Sequence, residues 1–285
     1  AEGGAEVFKV NYFKDVTASL ATSPQLYKQI MVGVFERVFS FATAFRAEKS
    51  ATSRHLSEYT SLDMEMGFIT DHLDIMRVET ELMKYIKQAL RENNKKDLEI
   101  LEVELPVTPD TDCFPHMKLR EAQQLIKEET GQDKTKAPDL DPEDERWLCE
   151  YAKKNLDSDY IFITHYPVKK RPFYTYEDEA DPGYTKSFDL LFRGVEVTTG
   201  GQRVHDVETL KSKIKEKGLD ENKFEFYLQA FKYGIPPHGG WGMGLERLTA
   251  KFCGVSNVKE ATLFPRDINR IDTFTSKEQS ESAEL

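Results

Sequence analysis

FRGVEVTTGGQR, residues Phe192 to Arg203, continues a run, Phe188-Asp189-Leu190-Leu191-Phe192, that has the length and apolar content of a buried strand. Along an extended chain Glu196, Thr198, Gly200 and Gln202 share one side, and Val195, Val197 and Thr199 the other. Strict alternation therefore separates Glu196 from Thr199 and Arg203. The Gly200-Gly201 pair predicts a bulge or close backbone approach that re-aims the side chains after it. A carboxylate, hydroxyls, glycines and an arginine so close together suit a small ligand. They equally suit a half-exposed strand with solvated charges, and the rest of the chain has to decide between the two.

A chain of 285 residues with 39% hydrophobic content makes one large domain or two small ones with a sizeable core. Its apolar runs are shorter than the ~20 residues that span a bilayer, and neither a membrane nor an export path is expected. Cys113, Cys149 and Cys253 lack metal or redox spacing and read as free thiols in a reducing cytosol. A net charge of −11 argues against a general nucleic-acid coat. Local candidates remain at Lys169-Lys170-Arg171 and along Lys211 to Lys217, both of which also suit a solvated surface.

Val7 to Tyr12 alternates as a strand, with Thr17 to Ala21 as its partner across Lys14-Asp15. Ser23 and Pro24 read as the cap and first position of a helix that presents Gln25, Lys28 and Gln29. Val38 to Glu48 and Tyr59 to Ile69 form a hairpin with Arg46 and Glu48 on one strand and Asp63 and Glu65 on one face of the other. Asp71 to Asn93 is an amphipathic helix whose Leu73, Met76, Leu82, Met83, Ile86 and Leu90 belong to the core. Proline-rich Lys95 to Asp159 reads as an insertion, roughly 104–159, with helices over Lys118–Glu129 and Glu143–Lys154. Tyr160 to His165 is a strand, and Glu177 to Tyr184 an acidic, mobile linker. Asp206–Gly218 and Glu221–Tyr233 are helices. Pro236 to Arg247 is a glycine-rich turn entering a last helix, and residues 275–285 form a disordered acidic tail.

Lys28, Arg46, Arg203 and Arg247 come from separate elements, and arginines suit a ligand with several anionic groups because a guanidinium grips carboxylate or phosphate in paired hydrogen bonds. Carboxylates suit Mg²⁺ bridging phosphates, or an amino group. Together these specify a nucleotide and an amino acid. No GxSxG, HExxH or Walker-type loop is present, and Gly240-x-Gly242-x-Gly244 lacks dinucleotide-fold spacing.

Ala44-Phe45-Arg46-Ala47-Glu48, Thr52 to Tyr59 and Leu62-Asp63-Met64-Glu65-Met66 resemble the second motif of class II aminoacyl-tRNA synthetases, and Gly242-Met243-Gly244-Leu245-Glu246-Arg247-Leu248 resembles the third. With Glu2-Gly3-Gly4-Ala5, Ser23 to Gln29 and Thr199 to Arg203, the chain up to about Asp272 is similar to aspartyl-tRNA synthetases of archaeal and eukaryal type. The resemblance implies an α+β fold with a six- to seven-stranded antiparallel sheet flanked by helices. It implies that residues 1–274 form a catalytic domain whose first motif and anticodon-binding barrel lie upstream of Ala1, and a cytoplasmic homodimer in the full-length protein. The implied reaction joins L-aspartate to ATP as aspartyl-adenylate and passes the aspartyl group to tRNA(Asp). Whether tRNA(Asn) is also charged stays open.

The same resemblance implies residue roles. Arg46, Arg247 and Glu196 act in catalysis, and Arg46 holds the α-phosphate and carboxylate. Glu48 contacts adenine, stacked between Tyr59 and Arg247, beside Leu56, Gly244, Leu245 and Glu246. Arg54 and His55 reach the terminal phosphates, and Glu196 with Thr199 and Glu65 coordinates Mg²⁺. Lys28 and Arg203 take the aspartate β-carboxylate, with Glu2, Gln25, Asp63 and Thr199 around the rest. The departure at Ala51, where a polar residue is frequent, bears on contacts to the tRNA end. Three other activities share much of this pattern: an ammonia-dependent asparagine synthetase, an asparaginyl-tRNA synthetase, and a non-catalytic sensor of amino acid or nucleotide. Taken singly, Asp63, Glu65 and Arg54 also read as hairpin ion pairs, and Tyr59 as packing.

Overall fold

The computed structural model describes residues 6–49 and 52–271. Glu2, Ala51 and the tail expected over residues 275–285 lie outside them. Strands β1 (Lys9–Asn11) and β2 (Thr17–Ser19) pair antiparallel across a turn in which Lys14 and Asp15 take positive φ. Helix α1 (Gln25–Phe35) begins one residue after Pro24, and Ser23 Oγ accepts the Gln25 N–H at 3.1 Å.

Seven further strands build one sheet: β3 (Arg37–Phe45), β4 (Glu58–Gly67), β5 (His116–Lys118), β6 (Tyr160–Thr164), β7 (Ser187–Phe192), β8 (Val195–Arg203) and β9 (His238–Gly244). They lie in the order β3-β4-β9-β8-β7-β6-β5, antiparallel except for the β5–β6 pair. Helix α2 (His72–Asn93), opened by a capping box between Asp71 and Asp74, buries Ile75, Met76 and Met83 against Phe162, Phe188, Leu190, Trp241 and Met243 on one face. Alternation then leaves Asp63, Glu65, Asp189 and Arg203 for the opposite face.

That opposite face is covered only at its ends. Helix α3 (Lys95–Ile100) follows α2, and then come α4 (Leu119–Thr130) and α5 (Pro142–Leu156), which pack Leu119, Ile126 and Leu148 on Ile161, Ile163 and Leu191. Lys95 to Asp159 thus supplies edge strand β5 together with this cover. At the other end α1 meets α6 (Val207–Glu216) and α7 (Glu225–Lys232) through Leu26, Leu210, Ile214, Tyr227 and Leu228. Helix α8 (Leu245–Phe252) returns beneath the sheet, where Leu248 and Phe252 join the core. None of the helices among the described residues is long and apolar enough to cross a membrane.

Three expectations are corrected. Pro236 to Gly244 is not a turn: β9 is an interior strand, paired with both β4 and β8. Its Trp241 and Met243 fill the core, while Gly240 and Gly242 face the other way with no side chain. A Cβ on Gly240 would stand 2.0 Å from the Met64 carbonyl oxygen and 2.4 Å from Glu65 Oε2, so the pairing requires glycine. The bulge in β8 lies before the glycines: Leu190 pairs with Thr198 and Leu191 with Glu196, leaving Val197 as the extra residue. This turns Glu196 and Thr199 to the same side. The linker Glu177–Tyr184 is tied down, since Glu177 accepts from Gly183 N–H and pairs with Lys213, and buried Asp178 meets His165 and the Ala180 N–H.

Beneath β8, Glu79 of α2 is fully buried, with the Thr198 hydroxyl nearby but, among the described residues, no hydrogen bond of good geometry to either carboxylate oxygen. Burial, helped by the charge of Asp189, pushes its carboxyl up to about 8. A carboxyl raised by folding holds its proton after the unfolded chain has lost it, so its contribution declines as pH rises from 4.5 towards about 8.

Glu79→Gln is predicted to flatten the fall in urea-unfolding free energy over that window; a slope identical to the native protein's contradicts the assignment of a neutral Glu79. Gly240→Ala is predicted to cost about 3 kcal/mol or more by the same measurement, and a loss below about 1 kcal/mol contradicts the close approach of β9 to β4.

Candidate active site

Between the two helical covers the sheet opens into a cavity of about 470 Å³, within the range that encloses nucleotide-sized ligands. Its floor is β4, β9 and β8. Its rim is the loop joining β3 to β4, the start of α8 and the segment around Lys170 to Thr175.

Four buried charges underlie the floor. Lys28 Nζ lies 2.8 Å from Asp63 Oδ1 and 3.4 Å from Glu65 Oε2, and donates to the Trp241 carbonyl at 2.6 Å. Arg203 donates from Nε to Glu65 Oε1 at 3.0 Å and from Nη2 to the Gly240 carbonyl at 2.9 Å. Burial pushes the Glu65 carboxyl up, but Arg203 and Lys28 overcome it and hold it below its usual range. Glu65 therefore keeps its charge between the two cations, and the four side chains are paired within the set. A neutral chain backs them: Gln25 donates to Gln29 at 3.0 Å, and the Gln29 amide meets His238 Nε2 at 3.0 Å. His238 Nδ1 lies 2.9 Å from the Pro236 carbonyl, which fixes the proton on Nδ1 and leaves Nε2 to accept. Burial lowers this imidazole to about 4, so it stays neutral.

Only part of that cluster reaches the cavity. Gln25, Asp63 and Arg203 line it, and Arg203 Nη1 makes no hydrogen bond to any described residue. Lys28 stands behind the wall, its donors spent on Asp63, Trp241 and Met64. Glu65 is sealed with both oxygens facing cations, so the expectation that it binds metal is corrected.

Above the floor Arg46, Glu48, Arg54, His55, Tyr59, Glu196 and Arg247 surround the same cavity. Arg46 lies 3.7 Å from Glu48, with its guanidinium carbon 5.3 Å from the centre of the Tyr59 ring. Its Nε is buried with no described partner. Glu48 also stands 3.7 Å from His55, whose imidazole burial holds below its ordinary value against the pull of Glu48. Arg247 donates to the Glu196 carbonyl at 2.7 Å and to the Arg54 carbonyl at 3.3 Å. Thr199 Oγ1 donates to Glu196 Oε1 at 2.8 Å, the contact that the bulge at Val197 permits. Leu56 and Gly244 line the cavity. Glu246 lines it too, but accepts the Thr60 N–H with both oxygens and so braces the hairpin. Leu245 opens α8 and is not on the cavity surface.

The sequence misses three contributors. Asp189 is the single charge in β7, a signal that was available, and it lies opposite Thr199 in register. Arg171, read as part of a basic surface run, is largely withdrawn from solvent, pairs with Asp189 at 2.7 Å and stacks 3.9 Å over Tyr166. Burial pushes the Asp189 carboxyl up against the pull of Arg171, and the nearby charge of Glu196 adds to the rise. Glu145, inside an acidic stretch that gave no signal, reaches the same wall from α5.

A family model described as tRNA synthetases class II (D, K and N) matches residues 1–268. Aspartate-tRNA(Asp/Asn) ligase of Thermus thermophilus is 49% identical over 271 residues, covering 95% of this chain and 63% of that protein. Aspartate-tRNA(Asp) ligase of Pyrococcus abyssi is 43% identical over 273 residues, covering 95% of this chain and 61% of that protein. The chain thus spans less than two thirds of either relative. Among solved structures, asparaginyl-tRNA synthetase from Pyrococcus horikoshii complexed with asparaginyl-adenylate superposes with a TM-score of 0.84 at 35% identity, over 95% of this chain and 61% of that one. Aspartyl tRNA synthetase from Entamoeba histolytica gives 0.84 at 33%, over 94% and 55%.

Removing one member of the floor cluster strands its partners in a dry site. Lys28→Met is predicted to destabilise the fold by about 3–5 kcal/mol in urea titration; a change within about 0.5 kcal/mol would show that the cluster is not a unit.

Proposed function

Since the chain belongs to the class II tRNA synthetases of the D, K and N group, we propose that it forms the catalytic part of an aspartate-tRNA ligase. In this reading the aspartate α-carboxylate attacks the α-phosphate of ATP, a bond forms between carboxylate oxygen and phosphorus, and pyrophosphate leaves. A terminal ribose hydroxyl of tRNA(Asp) then takes the aspartyl group and AMP departs. The observation that carries it is the meeting of Arg203 on the floor with Arg46, Arg54 and Arg247 around one cavity.

Each residue has work suited to its surroundings. Arg46, with an unpartnered Nε beside Tyr59, holds the α-phosphate and neutralises charge as it builds there. Arg247, fixed by the Glu196 carbonyl, offers a guanidinium face to adenine opposite Tyr59. Glu48 contacts the base, and Arg54 and His55 take the outer phosphates. Arg203 receives the side-chain carboxylate of aspartate in a site that Glu65 has already oriented. Asp63 and Gln25 border the ammonium group. Lys28 serves from behind by fixing Asp63.

The donor set fits Mg²⁺. Glu196 faces the cavity, and Asp189, close enough to feel its charge, has a buried Oδ1 without a partner. Two carboxylates, with Thr199 beside them, are what a hard cation shared with phosphates requires. Glu196 and Asp189 would hold the ion, which would supply positive charge against the phosphate oxygens.

A homodimer and a cytoplasmic setting belong to the same reading. Edge strand β3 exposes Phe39 and Phe41, and α1 exposes Val34 and Phe35 next to it, an apolar face suited to a second copy. Asparagine as substrate is the second reading, favoured by the likeness to asparaginyl-adenylate-bound structures. It leaves a guanidinium donor facing a neutral amide, a poorer partner than carboxylate.

Pyrophosphate exchange into ATP tests the proposal. Exchange dependent on aspartate, favoured over asparagine by about a hundredfold in kcat/KM, is expected. Exchange with asparagine and none with aspartate, or no exchange with either, overturns it.

A further inference from the structure

We propose that Glu145 is a positioning residue for the triphosphate end of ATP: one of its carboxylate oxygens fixes the Arg54 guanidinium to the cavity wall and ties it to the strand that carries Glu196. The inference rests on the ATP-dependent reading and deepens it. Glu145 belongs to none of the segments that carry the family resemblance. It comes from the first turns of α5, in the segment that the sequence presents as an insertion.

The geometry is specific. Glu145 Oε2 accepts the Glu196 backbone N–H at 2.9 Å and is also the atom that pairs with Arg54 Nη2. The residue is 8% exposed, so water does little to loosen either contact. Its own helix cannot retreat. Asp141 caps α5 through the N–H groups of Glu143 and Asp144, and Lys134 clamps Asp141 and Asp144 at 2.8 and 2.7 Å. Leu148, Cys149 and Ala152 bury the following turns against β6 and β7.

Arg54 sits on the loop between β3 and β4, where a long side chain without anchors would sample many rotamers. Here it is held at both ends, its carbonyl by Arg247 and its guanidinium by Glu145. A contact through one nitrogen leaves the remaining N–H groups of the fork for phosphate oxygens. The same carboxylate oxygen sets the distance between Arg54, given the outer phosphates in the proposed reaction, and the backbone of Glu196 on β8. A competing possibility is that Glu145 simply occupies Arg54 and must be displaced by ATP. The two differ in sign: a positioning carboxylate lowers the KM for ATP, and a competing one raises it.

Glu145→Ala and the isosteric Glu145→Gln are to be compared with the native protein in two measurements: the ATP dependence of aspartate-driven pyrophosphate exchange, and binding of a sulfamoyl analogue of aspartyl-adenylate, which lacks the outer phosphates. KM for ATP is expected to rise about tenfold in Glu145→Ala and less in Glu145→Gln, which keeps an acceptor for the Glu196 N–H, while analogue affinity stays within about twofold. An unchanged or lowered KM for ATP overturns the proposal, as does a parallel loss of analogue affinity. Failure of the native protein to exchange at all would instead sink the ligase reading.

Discussion

Lys28, Asp63, Glu65 and Arg203 form a buried set of opposite charges between α1, β4 and β8, with Asp63 and Arg203 at the cavity surface and Lys28 and Glu65 behind them. Desolvating four such groups is costly, and each is tolerable only because the others are in place. The arrangement depends on a strand with no side chains in its way. Gly240 and Gly242 let β4 and β8 bring their charged groups together across β9, and the backbone carbonyls of Gly240 and Trp241 each accept one further donor, from Arg203 and Lys28 respectively. The floor is therefore braced before any ligand arrives, with Arg203 on the cavity surface and its Nη1 unspent among the described residues. Such preorganisation is what lets a charged group discriminate between a carboxylate and an amide of nearly the same shape.

The walls depend on a second constraint, the unpaired Val197 in β8. In an unbroken register Glu196 and Thr199, three residues apart, would face opposite sides of the sheet; with Val197 left out of the pairing they are hydrogen-bonded and face the cavity together. Asp189 lies across from Thr199 on the neighbouring strand with one oxygen unspent. Arg171 on one side and Arg247 on the other hold this acidic corner in place. The rim joining β3 to β4 is a loop, but not a loose one: Glu246 grips its outgoing strand at Thr60, and Glu145 and Arg247 hold Arg54.

Much of this was legible in the letters because the motifs of β4, β8 and α8 carry charged residues whose spacing survives folding. The hairpin that presents Arg46, Glu48, Asp63 and Glu65 and the helical start at Gln25 were readable from alternation and capping. What escaped did so for physical reasons. A strand written His-Gly-Gly-Trp-Gly-Met-Gly has no β-propensity, since its place is decided by the close approach of its neighbours. The Gly200-Gly201 pair announced an irregularity, but the register break fell earlier, at a valine whose type gives no sign of it. Arg171 looked like surface because it comes after two lysines, and only the tertiary pairing with Asp189 draws it inside. Lys28, expected to face the ligand, joins the charged cluster but stands behind the cavity wall, because Asp63 and the Trp241 carbonyl take its donors.

The central claim is that a preformed cation on the floor and a ring of arginines above it hold one aspartyl-adenylate. A crystal structure with a non-hydrolysable aspartyl-adenylate analogue tests it most directly. The side-chain carboxylate is predicted within hydrogen-bonding distance of Arg203, the phosphate-like group against Arg46, and adenine between Tyr59 and Arg247, with the Arg203–Glu65 pair intact. An analogue bound outside this cavity, or one whose carboxylate avoids Arg203, would contradict the account.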